Sequence, residues 1–291
     1  MDAVTFVVGP TAVGKSDFAI GLAKKGGGEI VSADSMQVYK GFDLGTAKPS
    51  VEARRGVPHH MIDVADPMED YSAAAFSQDA RQAIKGIIAR GKTPIVCGGS
   101  GLYVHALLYE MDFSGRDRDE AFRAMLLNEA EEKGAAALYA RLLEADPFAA
   151  EQIHPNNTKR VVRALERACG EIESAGLREF ENTFEAKKRR YKAHIIRLNM
   201  DRAALYRRIE LRVDEFFGAG LVGEVEGLLA VGVPRDCTAM QGIGYKEVAA
   251  MLAGEYDGEE ALRLVKRNTR RLAKRQETWF KRYTDAETIS F

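Results

Sequence analysis

An α/β fold, a parallel sheet flanked by helices with an inserted all-α domain, is predicted by three observations. Short β-branched runs bounded by glycine alternate with helical stretches over the first hundred residues; a glycine-rich turn joins the first run to the first helix; and residues 116–193 offer no convincing strand. The first strand is Val4–Val8, ending at Gly9, and a helix is expected from Lys15 to about Lys24, stopped by Gly26, Gly27 and Gly28. Two more strands, Glu29–Ala33 and Thr93–Cys97, enclose a helical pattern over Ala73–Ala89. The stretch 116–193 is rich in Ala, Glu, Arg and Leu, with Pro147 and Pro155 separating helices. The chain then returns to the sheet at His194–Asn199 and continues as helices over Ala203–Phe217, Val222–Ala230 and Glu259–Tyr283. The expected organisation is a core of residues 1–115 and 194–291 carrying an insertion of 116–193.

The 291 residues hold 42 basic and 43 acidic side chains, a formal charge of −1 that excludes a uniformly basic coat. It does not exclude a basic face, because the charge is segregated: residues 158–212 carry +7 and 263–291 carry +6, against −4 for 116–157 and −8 for 213–262. Cys97, Cys169 and Cys237 are odd in number and far apart, which fits a reducing compartment better than a disulfide framework or a thiolate metal cage. No apolar run approaches the roughly 18–20 residues of a membrane span, and the N-terminus lacks the basic start of a signal peptide. A cytoplasmic protein, expected to be a monomer with no membrane partner, is the resulting reading.

Gly9-Pro10-Thr11-Ala12-Val13-Gly14-Lys15-Ser16 matches the phosphate-loop pattern G-x-x-x-x-G-K-[ST]. Glycines let the backbone turn its N–H groups inward, the helix that follows directs its positive end at an anion, Lys15 adds a full charge and Ser16 offers a hydroxyl to Mg2+ carried by the phosphates. Placed between the first strand and first helix, the loop makes the fold a P-loop NTPase-like one. An ATPase or GTPase needs an Asp closing an apolar strand to hold the metal through water. Thr93–Cys97 runs instead into Gly98-Gly99-Ser100-Gly101, and the acid at a strand end is Asp34. Ligands of parallel sheets sit beyond the carboxyl ends of the strands, so the loop, Asp34 and the Gly98–Gly101 turn are expected to share one crevice.

Taken together, GPTAVGKS (9–16), ADSMQVYKGFDLGTAKP (33–49), PHHMIDVADP (58–67), YSAAAF (71–76), GGSGLY (98–103), KRVVRALE (159–166), QGIGYKE (241–247) and TRRLAKRQETWFKR (269–282) resemble the bacterial tRNA dimethylallyltransferases, the IPP transferase family, in order and almost from end to end. The resemblance implies transfer of a dimethylallyl group from dimethylallyl diphosphate to the N6 amine of the adenosine 3′ of the anticodon. The substrates are tRNAs reading codons that begin with U. It implies that the loop holds an allylic diphosphate, with Lys15, Mg2+ at Ser16 and Arg212 directed at the leaving oxygen. Asp34 would receive the amine proton. Ser35, Met36 and Gln37 match positions that hold the target base, and Ser100 stands where many relatives have threonine, with its hydroxyl retained. Lys159, Arg160, Val161, Val162 and Arg163 match a tRNA contact, and Arg123 lies near another.

Reaching that amine requires a base out of its stack, and a stem-loop partner gripped by phosphates and shape. In Arg263–Arg282 nine basic residues face one acid, Glu277, and Leu262, Val265, Leu272 and Trp279 fall at core-facing spacing beside them. That reads as an amphipathic helix with a basic outer face; the insertion and these C-terminal helices are expected to form opposite walls of an RNA groove. Lys187–Arg190 reads as a solvated turn, Trp279 as packing rather than a base platform, and Cys97 as core. His59-His60 lacks a third ligand nearby and reads as structural or RNA-facing rather than metal-binding. The CxxC and HxxxH patterns of the zinc finger found in many eukaryotic relatives are absent from the sequence, so zinc is not expected. Two other classes compete: a P-loop small-molecule kinase, which retained prenyl on tRNA would reject, and a nonenzymatic RNA-binding module, which any prenyl transfer would reject. Prenylation of free adenine nucleotides is disfavoured by the basic blocks.

Overall fold

The computed structural model describes residues 2–111, 120–168 and 188–291. Cys169 and Lys187 lie outside the described residues. The chain forms two compact units, Met1–Glu110 with Arg189–Phe291, and Met111–Lys188.

The first unit is built on a six-stranded, wholly parallel sheet of order β3-β2-β4-β1-β5-β6. Its strands are β1 (Ala3–Val8), β2 (Gly28–Ser32), β3 (His59–His60), β4 (Thr93–Gly98), β5 (Lys192–Asn199) and β6 (Glu287–Ser290). β1 lies between β4 and β5, with Val8 opposite Gly98 on one side and Arg197 on the other. Burial on both faces explains why β1 reads as continuous apolar sequence: Phe6, Val7 and Val8 are all fully buried. β3 and β6 went unread because they are the two edges, two and four residues long, and β6 is mostly exposed and polar.

Helix α1 (Lys15–Gly26) buries Ala19, Ile20 and Ala23 and is closed by left-handed Gly27, whose N–H bonds Ala23. Helix α2 (Ala73–Ala89) is capped by Ser72, whose hydroxyl accepts from Ala75 N–H at 3.1 Å, and buries Phe76, Ala80, Ile84 and Ile87. Helix α3 (Gly101–Leu108) was not predicted: every residue from Tyr103 to Leu108 is buried, so it lacks the polar stripe that marks a surface helix.

The second unit contains α4 (Glu120–Lys133), α5 (Ala135–Ala145), α6 (Pro147–Gln152) and α7 (Thr158–Ala168). Its core gathers Leu126, Leu138, Leu142, Ala149, Ala150, Ile153, Val161, Val162, Ala164 and Leu165. Asp146 caps α6 by accepting from Ala149 N–H, with Pro147 at the first helical position.

Back in the first unit, α8 (Arg202–Gly218) starts at Asp201, whose carboxylate accepts from Ala203 and Ala204 N–H. Helices α9 (Leu221–Ala230), α10 (Tyr245–Leu252) and α11 (Gly258–Phe280) follow, α10 being a second element the sequence did not disclose. The core-facing stripe of α11 is Ala261, Val265, Ala273 and Phe280; of the four expected residues only Val265 is fully in the core, and Leu262, Leu272 and Trp279 are half-buried. In the Lys187–Arg190 turn Lys188 is exposed, as expected, but Arg189 and Arg190 are half-buried and bonded to protein. Arg189 makes a two-bond fork to Asp285 at 2.6 and 2.7 Å, and Arg190 donates to the Tyr109 carbonyl. No helix of the described residues is long and apolar enough to cross a membrane.

Candidate active site

The phosphate loop leaves β1 at Gly9 and enters α1 through Gly14, which is left-handed at φ 99°. Gly9 is required by contact: a Cβ there would lie 2.6 Å from the Leu198 carbonyl oxygen of β5. Lys15 folds back over the loop and donates to the Pro10 carbonyl at 2.7 Å. Burial pushes its ammonium down to about 8; Cys97 and Asp34 oppose that shift and Arg212 adds to it. Lys15 is therefore a desolvated cation, and among the described residues no carboxylate is within ion-pair distance of it.

Asp34 lies two residues beyond the end of β2, and β4 separates β2 from β1. Its Oδ1 accepts from Met36 N–H at 2.9 Å and Gln37 N–H at 3.3 Å, an Asx turn that fixes the carboxylate. Among the described residues no donor is bonded to its Oδ2. Ser100 ties this turn to β4: its hydroxyl oxygen accepts from Ser35 N–H at 2.8 Å and donates to the Ser35 hydroxyl at 3.0 Å. Its own N–H donates to the Ala33 carbonyl at 3.1 Å. Gly98 makes this possible, since a Cβ there would overlap the Ala33 carbonyl. The loop, Asp34 and the Gly98–Gly101 turn thus converge at the carboxyl ends of β1, β2 and β4. Cys97 is core, as expected, its thiol pushed up to about 11 by burial.

From α8, Arg208 and Arg212 lie four residues apart on one face above the loop. An added Cβ on Gly14 would sit 3.9 Å from the Arg208 guanidinium. Burial and the neighbouring Arg208 hold the Arg212 pKa below its usual value. Ser16 is exposed at the start of α1, and among the described residues no cluster of His, Cys, Asp and Glu could cage a metal. One hydroxyl beside a phosphate loop fits a metal that arrives with its phosphates.

Three side chains that the motifs did not single out build the crevice. Gln276 of α11 accepts from Thr11 N–H at 2.8 Å and donates to the Gly99 carbonyl at 3.0 Å. Glu224 of α9 accepts from Leu44 N–H at 2.9 Å and Asp43 N–H at 3.1 Å, and bonds the buried Tyr245 hydroxyl, which itself takes Gly45 N–H at 3.1 Å. The QGIGYKE segment therefore anchors the GTAKP loop. Gln37, read as a partner for an adenine edge, has an amide already committed: it accepts from the Ser32 hydroxyl and donates to Thr46 and Ala47 carbonyls. A half-buried amide so bonded holds the loop. The only signal for Gln37, Tyr245 and Gln276 was membership of a motif, and Glu224 had none, because a polar residue bonded inward looks like a surface residue in sequence.

The basic residues are only partly available. On α11, Arg263 is paired with Glu260, Lys266 with Asp214 at 2.6 Å, and Arg270 with Glu210. Arg271, Lys274 and Arg275 are exposed and have no ion-pair partner among the described residues. Trp279 packs on Gly101, where a Cβ would meet its ring at 2.5 Å. On α7, Lys159, Arg160 and Arg163 are exposed, whereas Val161 and Val162 are in the core, which corrects their grouping with RNA contacts: their side chains face inward because the helix is amphipathic. Arg123 and Arg163 share Glu166, at 3.0 and 3.1 Å. His60 Nε2 is 2.7 Å from buried Glu29 and His59 Nδ1 is 2.8 Å from the Val57 carbonyl, so both are structural at a sheet edge.

A parallel sheet, a phosphate loop without a strand-borne metal carboxylate, and an acid stitched beside it define a P-loop α/β protein. The chain belongs to the IPP transferase family, whose model matches residues 37–283, and a model described as isopentenyl transferase matches residues 2–70. A tRNA dimethylallyltransferase of Alkaliphilus metalliredigens is 46% identical over 98% of this chain and 90% of its own length. The full-length tRNA isopentenylpyrophosphate transferase of Bacillus halodurans superposes with a TM-score of 0.74 at 41% identity, covering 100% of this chain and 90% of that one. A eukaryotic dimethylallyltransferase acting on tRNA superposes at 0.79 and 29% identity, covering 100% and 74%.

Proposed function

We propose that this chain transfers a dimethylallyl group from dimethylallyl diphosphate to the N6 amine of adenosine 37, 3′ of the anticodon, in tRNAs reading codons that begin with U. The observation that carries the reading is the placement of Asp34 beside the phosphate loop, with Lys15, Arg212 and Ser100 around the same crevice. The amine nitrogen bonds to C1 of the allyl group as the C1–O bond breaks, its electron pair leaving on diphosphate. The amine proton passes to Asp34, through the carboxylate oxygen that the Asx turn leaves open. Loop amides, Lys15 and Arg212 stabilise the charge that builds on the leaving oxygen. Mg2+ bound with the diphosphate, touched by the Ser16 hydroxyl, would add Lewis-acid assistance to that departure.

Ser35, Met36 and Ser100 flank the expected position of the base, with Gln37 securing their loop. The tRNA stem-loop is held by the exposed cations Lys159, Arg160 and Arg163 of the second unit, with Arg123 beside them, and Arg271, Lys274 and Arg275 of α11. One chain supplies donor loop, acid and cations, which supports action as a monomer. The described Cys97 and Cys237 are free thiols, which suits the reducing cytoplasm. A kinase reading is disfavoured by the Gly98-Gly99-Ser100 end of β4, which has no carboxylate. Incubation with dimethylallyl diphosphate, Mg2+ and unmodified tRNA, followed by nucleoside analysis, tests the proposal. N6-(dimethylallyl)adenosine is expected, and its absence rejects the reading.

A further inference from the structure

We infer that Gln276 is a positioning residue for the transfer, fixing the phosphate loop against the β4–α3 turn so that donor and acceptor sit in one register. The inference rests on the function proposed above. One planar amide makes two long-range bonds: Oε1 accepts from Thr11 N–H at 2.8 Å, and Nε2 donates to the Gly99 carbonyl at 3.0 Å. The next residue, Ser100, accepts from Ser35 N–H at 2.8 Å, and Ser35 adjoins Asp34. A continuous path therefore runs from the diphosphate loop through Gln276, Gly99, Ser100 and Ser35 to the proton acceptor. The packing at its midpoint is tight: a Cβ on Gly99 would lie 2.4 Å from Gln276 Nε2 and 3.6 Å from Lys15 Nζ.

The chemistry calls for glutamine. The partners are an amide N–H and a carbonyl, so the side chain must offer one acceptor and one donor; Glu lacks the donor and Lys or Arg the acceptor. Gln276 follows the exposed Lys274 and Arg275 on the same helix, so the element that presents cations to solvent also sets the loop geometry. Gln276 touches no reacting atom; it acts through the two loops it joins.

Steady-state kinetics of Gln276→Met, which fills similar space without either bond, test this together with calorimetric binding of Mg2+-pyrophosphate and of the tRNA. The expected result is a turnover at least 10-fold below wild type. The KM for dimethylallyl diphosphate and the Kd for pyrophosphate should rise 3-fold or more, while the tRNA Kd stays within 2-fold. A purely structural residue would lower Tm without this split between donor and tRNA. Donor parameters within 2-fold of wild type, or donor and tRNA affinity falling together, would overturn the inference. Gly99→Ala offers an independent route if the Met variant fails to fold: it should reproduce the donor-selective defect and be non-additive with Gln276→Ala, and additivity would sink the idea. Wild-type enzyme that makes no prenylated nucleoside refutes the proposed function, whereas active wild type with an unaffected Gln276→Met refutes only this inference.

Discussion

The crevice at the carboxyl ends of β1, β2 and β4 and the basic face of α11 are both rich in polar side chains, yet they use them in opposite ways. In the crevice most polar groups are already bonded to protein: the amides of Gln37 and Gln276, the Ser100 hydroxyl and one Asp34 oxygen. On α11 the exposed Arg271, Lys274 and Arg275 have no ion-pair partner among the described residues, whereas Asp214, Glu210 and Glu260 pair with their neighbours. Internal bonding gives the sub-ångström placement that chemistry demands. Unpaired exposed charge gives affinity for a polyanion without needing precise geometry. The lesson is that a basic count overstates the free positive charge a face presents, while a motif count understates the polar groups that build a crevice.

The sharpest way to break this contrast is at Asp34. Asp34→Ala is expected to lower turnover by roughly 10²- to 10⁴-fold, the range for a general base, with tRNA affinity within 2-fold; a single-turnover assay beside a filter-binding curve would reveal a contrary outcome. Next comes Gly9→Ala, whose Cβ must displace the Leu198 carbonyl 2.6 Å away. It should abolish most pyrophosphate binding by calorimetry, and unchanged binding would mean the loop does not contact the donor.

An intermediate effect is expected from pH. Lys15 is held down to about 8, chiefly by burial. Below that pH it is charged and its attraction for diphosphate is fully present; above it the charge is lost, and affinity should fall toward 10-fold per unit. Pyrophosphate titrations from pH 6.5 to 9.5 check the sign, and Lys15→Arg should remove the break.

On the basic face, the comparison predicts unequal arginines. Neutralising Arg271, Lys274 and Arg275 together should reduce the salt slope of tRNA binding by about 2–3, leaving pyrophosphate affinity unchanged. Arg270→Gln, whose charge is already paired with Glu210, should alter that slope by less than about 1. Equal slopes for the two sets would show that pairing does not decide availability. The smallest effect on transfer is expected from Val161→Ala. It should cost roughly 1–3 kcal/mol of stability in the second unit through lost burial, seen as a lower Tm, with the tRNA Kd little changed below the transition.

Much of the fold was legible because its period is local. β1, β2, β4 and β5, together with α1, α2 and α8, were marked by apolar runs, caps and glycine stops, and their observed ends fall within two residues of those expected. Three of the missed elements lack the periodicity from which an element is read: α3 is buried all round, and β3 and β6 are short edges; α10 is a two-turn helix, eight residues long, set among glycines. The placement of the phosphate loop and Asp34 at the carboxyl ends of the strands was legible because the loop pattern has fixed residue types at fixed spacing and Asp34 follows an apolar run.

By itself the sequence determined the α/β plan, the polyphosphate loop, the missing metal carboxylate on β4 and the segregation of charge, since each depends on residue identity and neighbours along the chain. Only the tertiary structure decided which polar groups are spent and which are open: that Gln276 joins two loops 177 and 265 residues away, that Glu224 and Tyr245 hold the GTAKP loop, and that Arg270 is paired with Glu210 while Arg271 has no ion-pair partner among the described residues. A hydrogen bond or ion pair is fixed by distances of about 3 Å between segments remote in sequence, and no local pattern carries that information.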